Sequence, residues 1–272
     1  VEQVCVLALA EIRKGEPVKL ITATQPIDEE QYILAPLAPL GNPTILFGEG
    51  GTAKSHIALL CGMIVDSAWF DNPLCLLPKI NSPHKTLYLD WEMIERDFRR
   101  RLHLVAKGCN QPDAALYYRE CRAPLADDLE RLGECIAEIG AEFVIIDSVA
   151  GAAGGDINTA ETALRFFGAL RQLRVTSLVI AHTAKNSDTK KRTPFGSVFF
   201  WNYARSIWEV VGHQEEGGLT VDVGMFHRKS NVSGLSKPLG FKFTFLEGET
   251  LITESSIKSV PAIAERMGLK SR

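Results

Sequence analysis

A lysine followed by a serine, after a run of small residues, presents a cation, a hydroxyl and a row of backbone N–H groups to one point. Residues Gly48 to Ser55, Gly-Glu-Gly-Gly-Thr-Ala-Lys-Ser, have that arrangement. They fit the spacing G-x-x-x-x-G-K-[ST], except that Ala53 stands where glycine is usual. Such a loop cradles a polyphosphate. The N–H groups of Gly50 to Lys54 face the β-phosphate, Lys54 neutralises the outer phosphates, and the Ser55 hydroxyl ligates Mg²⁺. The whole octet (Gly48, Glu49, Gly50, Gly51, Thr52, Ala53, Lys54 and Ser55) is the candidate cradle, with ATP and Mg²⁺ as its expected ligands. Alanine at 53 is expected to keep φ negative and to place one methyl near the phosphates. Neither removes the chemistry.

Acids must accompany such a loop. The run Phe-Val-Ile-Ile-Asp-Ser puts Asp147 at the C-terminal end of an apolar strand, where open α/β sheets bind ligands. A carboxylate there holds Mg²⁺ through water. The run Tyr-Leu-Asp-Trp-Glu ends an earlier strand with Asp90 and Glu92, and either can polarise an attacking water as general base. Glu92 is preferred.

The elements that must position these groups alternate in type. Apolar strand-like runs at 44–47, 85–90, 115–120, 142–147 and 176–182 are separated by amphipathic helical patterns at about 54–67, 93–108, 126–140 and 157–173. The loop therefore follows a strand and opens a helix, the context a phosphate loop needs. After His182 the pattern changes to four strands, Ser-Ile-Trp-Glu-Val-Val, Leu-Thr-Val-Asp-Val-Gly-Met-Phe-His, Phe-Lys-Phe-Thr-Phe and Glu-Thr-Leu-Ile-Thr-Glu-Ser, with no helices between them. The expected fold is α/β: a mainly parallel sheet with helices on both faces, extended by C-terminal antiparallel strands. Residues 1–40 read as a helix and a proline-punctuated connector, 41–255 as the main domain, and 256–272 as a C-terminal helical segment. That last segment suits the opening of a helix-turn-helix as well as a plain helix.

Composition sets limits. The 272 residues are 46% hydrophobic and 23% charged, enough to bury a substantial core. A net charge of −3 excludes a globally basic nucleic-acid binder, so any such contact must be local. The six cysteines form no CxxC or Cys/His cluster, which argues for reduced thiols in a cytoplasmic protein. The best apolar run, Ile57 to Val65, is far short of the ~20 residues that span a bilayer, so no membrane partner is expected. The chain begins with Val1, as a piece of a longer protein would.

The order of the parts, with Gly-Glu-Gly-Gly-Thr-Ala-Lys-Ser first, then Tyr-Leu-Asp-Trp-Glu, Val-Ile-Ile-Asp-Ser and Val-Ile-Ala-His-Thr-Ala-Lys, resembles the RecA-like P-loop ATPases of the RepA-type hexameric replicative helicase family. Phage, plasmid and primase-associated ATPases belong to the same group, and the resemblance covers roughly residues 35–245. It implies that Glu92 rather than Asp90 is catalytic and that His182 senses the γ-phosphate. It also implies that Arg205 and Lys229 reach a neighbouring subunit's nucleotide, so the implied catalytic set is Lys54, Glu92, His182, Arg205 and Lys229. The family's R-x-L on the helix after the second strand is matched at Arg99 to Leu102, without an assignable role. Lys185, Lys190, Lys191 and Arg192 fall where such helicases place channel loops that follow single-stranded DNA without reading its sequence. The partners implied are single-stranded DNA and other copies of the chain in a ring, a hexamer in that family. Neighbouring aromatics Phe195, Phe199, Phe200, Trp201 and Tyr203 suit core packing better than base stacking. A nucleotide-gated loader without unwinding activity is the alternative from another class. A small-molecule kinase fits poorly, because the strands after His182 offer neither lid nor acceptor pocket.

Overall fold

The computed structural model describes residues 17–26, 31–79, 83–183 and 198–268. The helix expected at the N-terminus, Phe195, and the four cations of the basic loop lie outside them. The first elements are β1 (Tyr32–Ala35), β2 (Ala38–Pro39), β3 (Pro43–Gly48), α1 (Lys54–Ser67) and β4 (Leu77–Pro78). Next come β5 (Thr86–Asp90), α2 (Glu95–Gly108), β6 (Tyr117–Glu120), α3 (Leu129–Ile139), β7 (Phe143–Asp147) and α4 (Val149–Ala153). Then follow α5 (Ala160–Leu173), β8 (Thr176–His182), α6 (Val198–Tyr203) and β9 (Ser206–Gln214). The strands β10 (Thr220–Ser230), β11 (Leu239–Phe245) and β12 (Thr250–Glu254) complete the sheet. Short turns of helix, including α7 (Pro261–Ala264), end the described chain.

Nine strands form one sheet in the order β12-β11-β10-β9-β3-β8-β7-β5-β6. The strands β5 and β7 are buried at every position, and β3 and β8 at all but one. Their apolar sequences suit strands covered on both faces. On one face, α1 packs against Tyr88, Phe143 and Trp208. This helix is apolar nearly all round, as a fully enclosed helix must be. The other face is covered by residues of α3 to α6, among them Leu132, Val149, Phe166 and Phe200. The aromatic run pairs within this layer, Phe167 with Phe200 at 5.4 Å and with Tyr203 at 5.5 Å between centroids, so these rings are core rather than a base-stacking platform. Each such ring removed from water contributes about 1.5–3 kcal/mol.

Three features differ from the sequence reading. The strand β9 is not antiparallel to the core: it pairs parallel with β3, and the antiparallel part begins at β10. The helix α6 precedes it, too short to show a helical period. Within the proline-punctuated connector, β1 pairs with β2 and β4 in a small second sheet. Its Ile33, Leu34, Leu37 and Ala38 are fully buried in the α1-side core.

The last described residues are fixed to the sheet by charge. Glu209 of β9, 2% exposed, accepts from Arg228 at 2.6 Å and from Arg266, while Ile263 packs on Val211 and Phe226. A carboxylate this buried is tolerated because two guanidiniums satisfy it, one on each oxygen; removing either would leave one buried oxygen without its donor. The five described cysteines are free. Among the described residues, no helix is long and apolar enough to cross a membrane.

Candidate nucleotide site

Parallel register delivers the site. Gly48 lies beside His182, and Asp90 beside Asp147, so the ends of β3, β8, β7 and β5 bring their side chains to one edge. This is the carboxyl edge, where α/β sheets place ligands.

The loop between β3 and α1 is built tightly. At Gly48 a Cβ would fall 2.3 Å from the Val210 carbonyl oxygen, so only glycine lets β9 approach the loop. Gly51 has φ +76, open to glycine at little cost. Thr52 Oγ1 donates to the Glu49 carbonyl at 2.9 Å and braces the turn. The first residue of α1 is Lys54, and the residue before it offers no side-chain cap. The helix N-terminus therefore keeps donors for an anion.

Ala53 corrects the sequence expectation. Its φ is +60, in the left-handed region, and its methyl packs against the α1-side core instead of standing in the loop. An alanine there carries about 1 kcal/mol of strain. Ala53→Gly removes that strain but gains unfolded-state entropy of comparable size. The variant is expected to shift stability by less than ~1 kcal/mol and to bind nucleotide within about threefold of wild type. Thermal melts and a nucleotide titration check this, and a tenfold tightening would show that the methyl obstructs the phosphates after all.

Lys54 is 5% exposed. Its Nζ donates to the Gly48 carbonyl at 3.0 Å and the Glu49 carbonyl at 2.6 Å. Burial lowers its pKa to about 8 against the opposing pull of Asp147, Glu92 and Glu49. All three acids therefore lie near the ammonium.

The two strand-end aspartates are distinguished by their partners. Asp90 is fully buried, and its Oδ1 accepts the N–H groups of Glu92 and Met93, both at 2.8 Å. It shapes the turn after β5, and burial raises its pKa to about 6. Asp147 accepts the Tyr88 hydroxyl at 2.7 Å. Burial raises its pKa, opposed by the Tyr88 and Ser55 hydroxyls. Its Oδ1 is buried without a hydrogen-bond partner among the described residues. An orphaned carboxylate oxygen beside a serine hydroxyl is a hard-oxygen donor set that fits Mg²⁺.

Glu92 sits differently. Ser148 donates to its Oε1, and His182 Nε2 lies 3.6 Å from the same oxygen. The contact with His182, then Ser148 and Lys54, hold its pKa below the usual range despite partial burial. It is an ionised carboxylate, 44% exposed, the form a base requires. Tyr88 and Ser148 were not singled out from sequence. Strand alternation does put Tyr88 on the face of Asp90, and Ser148 directly follows Asp147.

Arg205 and Lys229 are not brought to this edge. The Arg205 N–H donates to the Pro43 carbonyl at the start of β3, five residues from Gly48, or ~17 Å along a strand. Lys229 Nζ donates to the carbonyls of Trp201, Asn202 and Ala204 at 2.7, 3.0 and 2.7 Å. It closes the end of α6.

A family model described as AAA domain matches residues 11–188. No curated protein sequence matches this one significantly. Among solved structures, a KaiC-like protein from the hyperthermophilic archaeon Pyrococcus horikoshii OT3 shares the fold. Its TM-score is 0.53, at 17% identity over 87% of this chain and 99% of that one. Family match, loop, strand-end acids and sheet order agree: the chain belongs to the AAA domain family and is a P-loop ATPase on a RecA-like fold.

Proposed function

We propose that the chain is a Mg²⁺-dependent, ATP-hydrolysing motor that acts on single-stranded DNA as a ring, in the manner of RepA-type helicases. The observation that carries turnover is Glu92. Its carboxylate is ionised, held by Ser148 and His182, and near the phosphate-loop lysine. A protein that only bound nucleotide would need no such base. Ser55 and Asp147 would hold Mg²⁺, which when bound neutralises charge between the outer phosphates. His182, in contact with Glu92, is suited to couple the base to the presence of the γ-phosphate. Self-association is supported by Arg205, which is exposed and too far from its own loop to serve it.

Glu92→Gln is expected to retain Mg·ATP binding and to lose hydrolysis by ~100-fold or more. Asp90→Asn should mainly lower the melting temperature, because Oδ1 supports two backbone N–H groups. If Asp90→Asn damages turnover more while melting unchanged, the two acids exchange roles. The motor reading itself is tested by single-turnover hydrolysis with and without single-stranded DNA, followed by a duplex-unwinding assay. Stimulation with unwinding supports the helicase; stimulation without it leaves the loader. Hydrolysis indifferent to DNA removes the DNA partner.

A further inference from the structure

The side chain of Glu92 is 44% exposed, so burial does not fix where its carboxylate stands. The backbone beneath it must. That backbone is the turn after β5, and the residue before Glu92, Trp91, is clamped on three sides. The Trp91 N–H donates to the Asp147 carbonyl at 2.7 Å. Its indole Nε1 donates to the Ala123 carbonyl at 2.8 Å, and its ring packs on the layer formed by α3 to α6. The third side is Gly151 of α4. A Cβ there would fall 2.6 Å from Trp91 Cβ and 3.0 Å from Cγ. Rotation about the side-chain bonds cannot move Cβ, so a larger residue at 151 must displace the turn itself.

The segment that receives the indole is tied down as well. The Cys121 N–H donates to the Asp90 carbonyl at 2.7 Å, and the Leu125 N–H to the Ala152 carbonyl at 2.9 Å. Residues 121–125 therefore link the end of β5 to α4, and Trp91 closes the circuit between them. Asp90 holds the same turn through the N–H groups of Glu92 and Met93. Glycine within a helix is less stable than alanine, so the indole is seated at some cost to α4.

We propose that Trp91 is a positioning residue for hydrolysis: docked on Gly151 and bonded to Asp147 and Ala123, it fixes the Glu92 carboxylate relative to Asp147. The inference rests on the reading of Glu92 as the base. The acid that would hold Mg²⁺ and the base then share one frame, and α4 completes it.

Gly151→Ala leaves every functional group in place and displaces only the ring and its turn. It is expected to lower kcat by about 10- to 100-fold, the scale of a misplacement of about 1 Å. KM for Mg·ATP should stay within about threefold, since the phosphate loop is untouched. Trp91→Phe, which keeps a ring but loses the indole N–H, should retain more of the rate than Trp91→Ala. A double-mutant cycle separates positioning from general loosening. In a Glu92→Gln background, Gly151→Ala and Trp91→Ala should change the residual single-turnover rate by less than about threefold, because the group they position is already gone. Trp91→Phe replaces Trp91→Ala in the cycle should the alanine variant not fold. An equal loss in both backgrounds would show that the effect does not pass through Glu92, and would overturn the inference. Wild-type kcat in Gly151→Ala while Glu92→Gln is inactive would also overturn it and leave the base assignment standing. Normal turnover in Glu92→Gln removes the base, and this inference with it.

Discussion

Lys54→Ala is expected to abolish ATP turnover and to weaken Mg·ATP binding by ~100-fold. Lys54 Nζ donates to the Gly48 and Glu49 carbonyls at 3.0 and 2.6 Å. Those two bonds hold it at the mouth of the loop. Charged hydrogen bonds contribute about 1.5–3 kcal/mol each, and two exchanged onto phosphate oxygens account for the expected loss. A pH series gives an independent check. Burial sets the pKa of the free ammonium at about 8, and a bound polyphosphate favours its charged form. The wild-type protein then has the cation ready below pH 8 and must take up a proton to bind above it. Apparent affinity should fall as pH rises through 8, approaching about tenfold per pH unit. The alanine variant should lose that slope together with its affinity. Wild-type-like turnover in the variant would remove the phosphate-loop reading.

Much of this site was legible because its parts are local. The strand β3, the loop and α1 are contiguous, and Asp147 and His182 end apolar strands whose length and composition announce them. Parallel pairing then aligns Gly48 with His182 and Asp90 with Asp147, with no further information needed. Choosing between Asp90 and Glu92 required contacts that sequence does not print. Asp90 is committed to two backbone N–H groups, whereas Glu92 meets Ser148, 56 residues away, and His182. Ala53 was misread for a different reason. Residue type gives a preference for φ, and the close approach of β9 at Gly48 and the packing of the Ala53 methyl outweigh it. The direction of β9 was hidden because the six-residue α6 shows too little periodicity to announce a crossover. Two-residue strands such as β2 and β4 carry no alternation at all.

The direction of β9 bears on the other large effect, expected at Arg205. Because β9 runs parallel to β3, with Ser206 beside Thr44 and Val210 beside Gly48, Arg205 lies at the amino edge of the sheet. Its own phosphate loop lies ~17 Å away along the strand, beyond the reach of a guanidinium. If the arginine takes part in hydrolysis, the nucleotide it meets is bound to another copy. A cation delivered in this way contributes ~10³ or more to phosphoryl transfer, so Arg205→Ala should be nearly inactive in the assembled protein. Its own loop, Glu92 and Asp147 stay intact, so Mg·ATP binding to the diluted chain should match wild type. Mixing Arg205→Ala with Glu92→Gln should then restore part of the hydrolysis, because some interfaces pair an intact Glu92 with a neighbour's intact Arg205. Neither variant alone can form such a site. If mixed assemblies demonstrably form and recover nothing, the arginine does not act between subunits, and the ring mechanism loses the residue on which it chiefly depends.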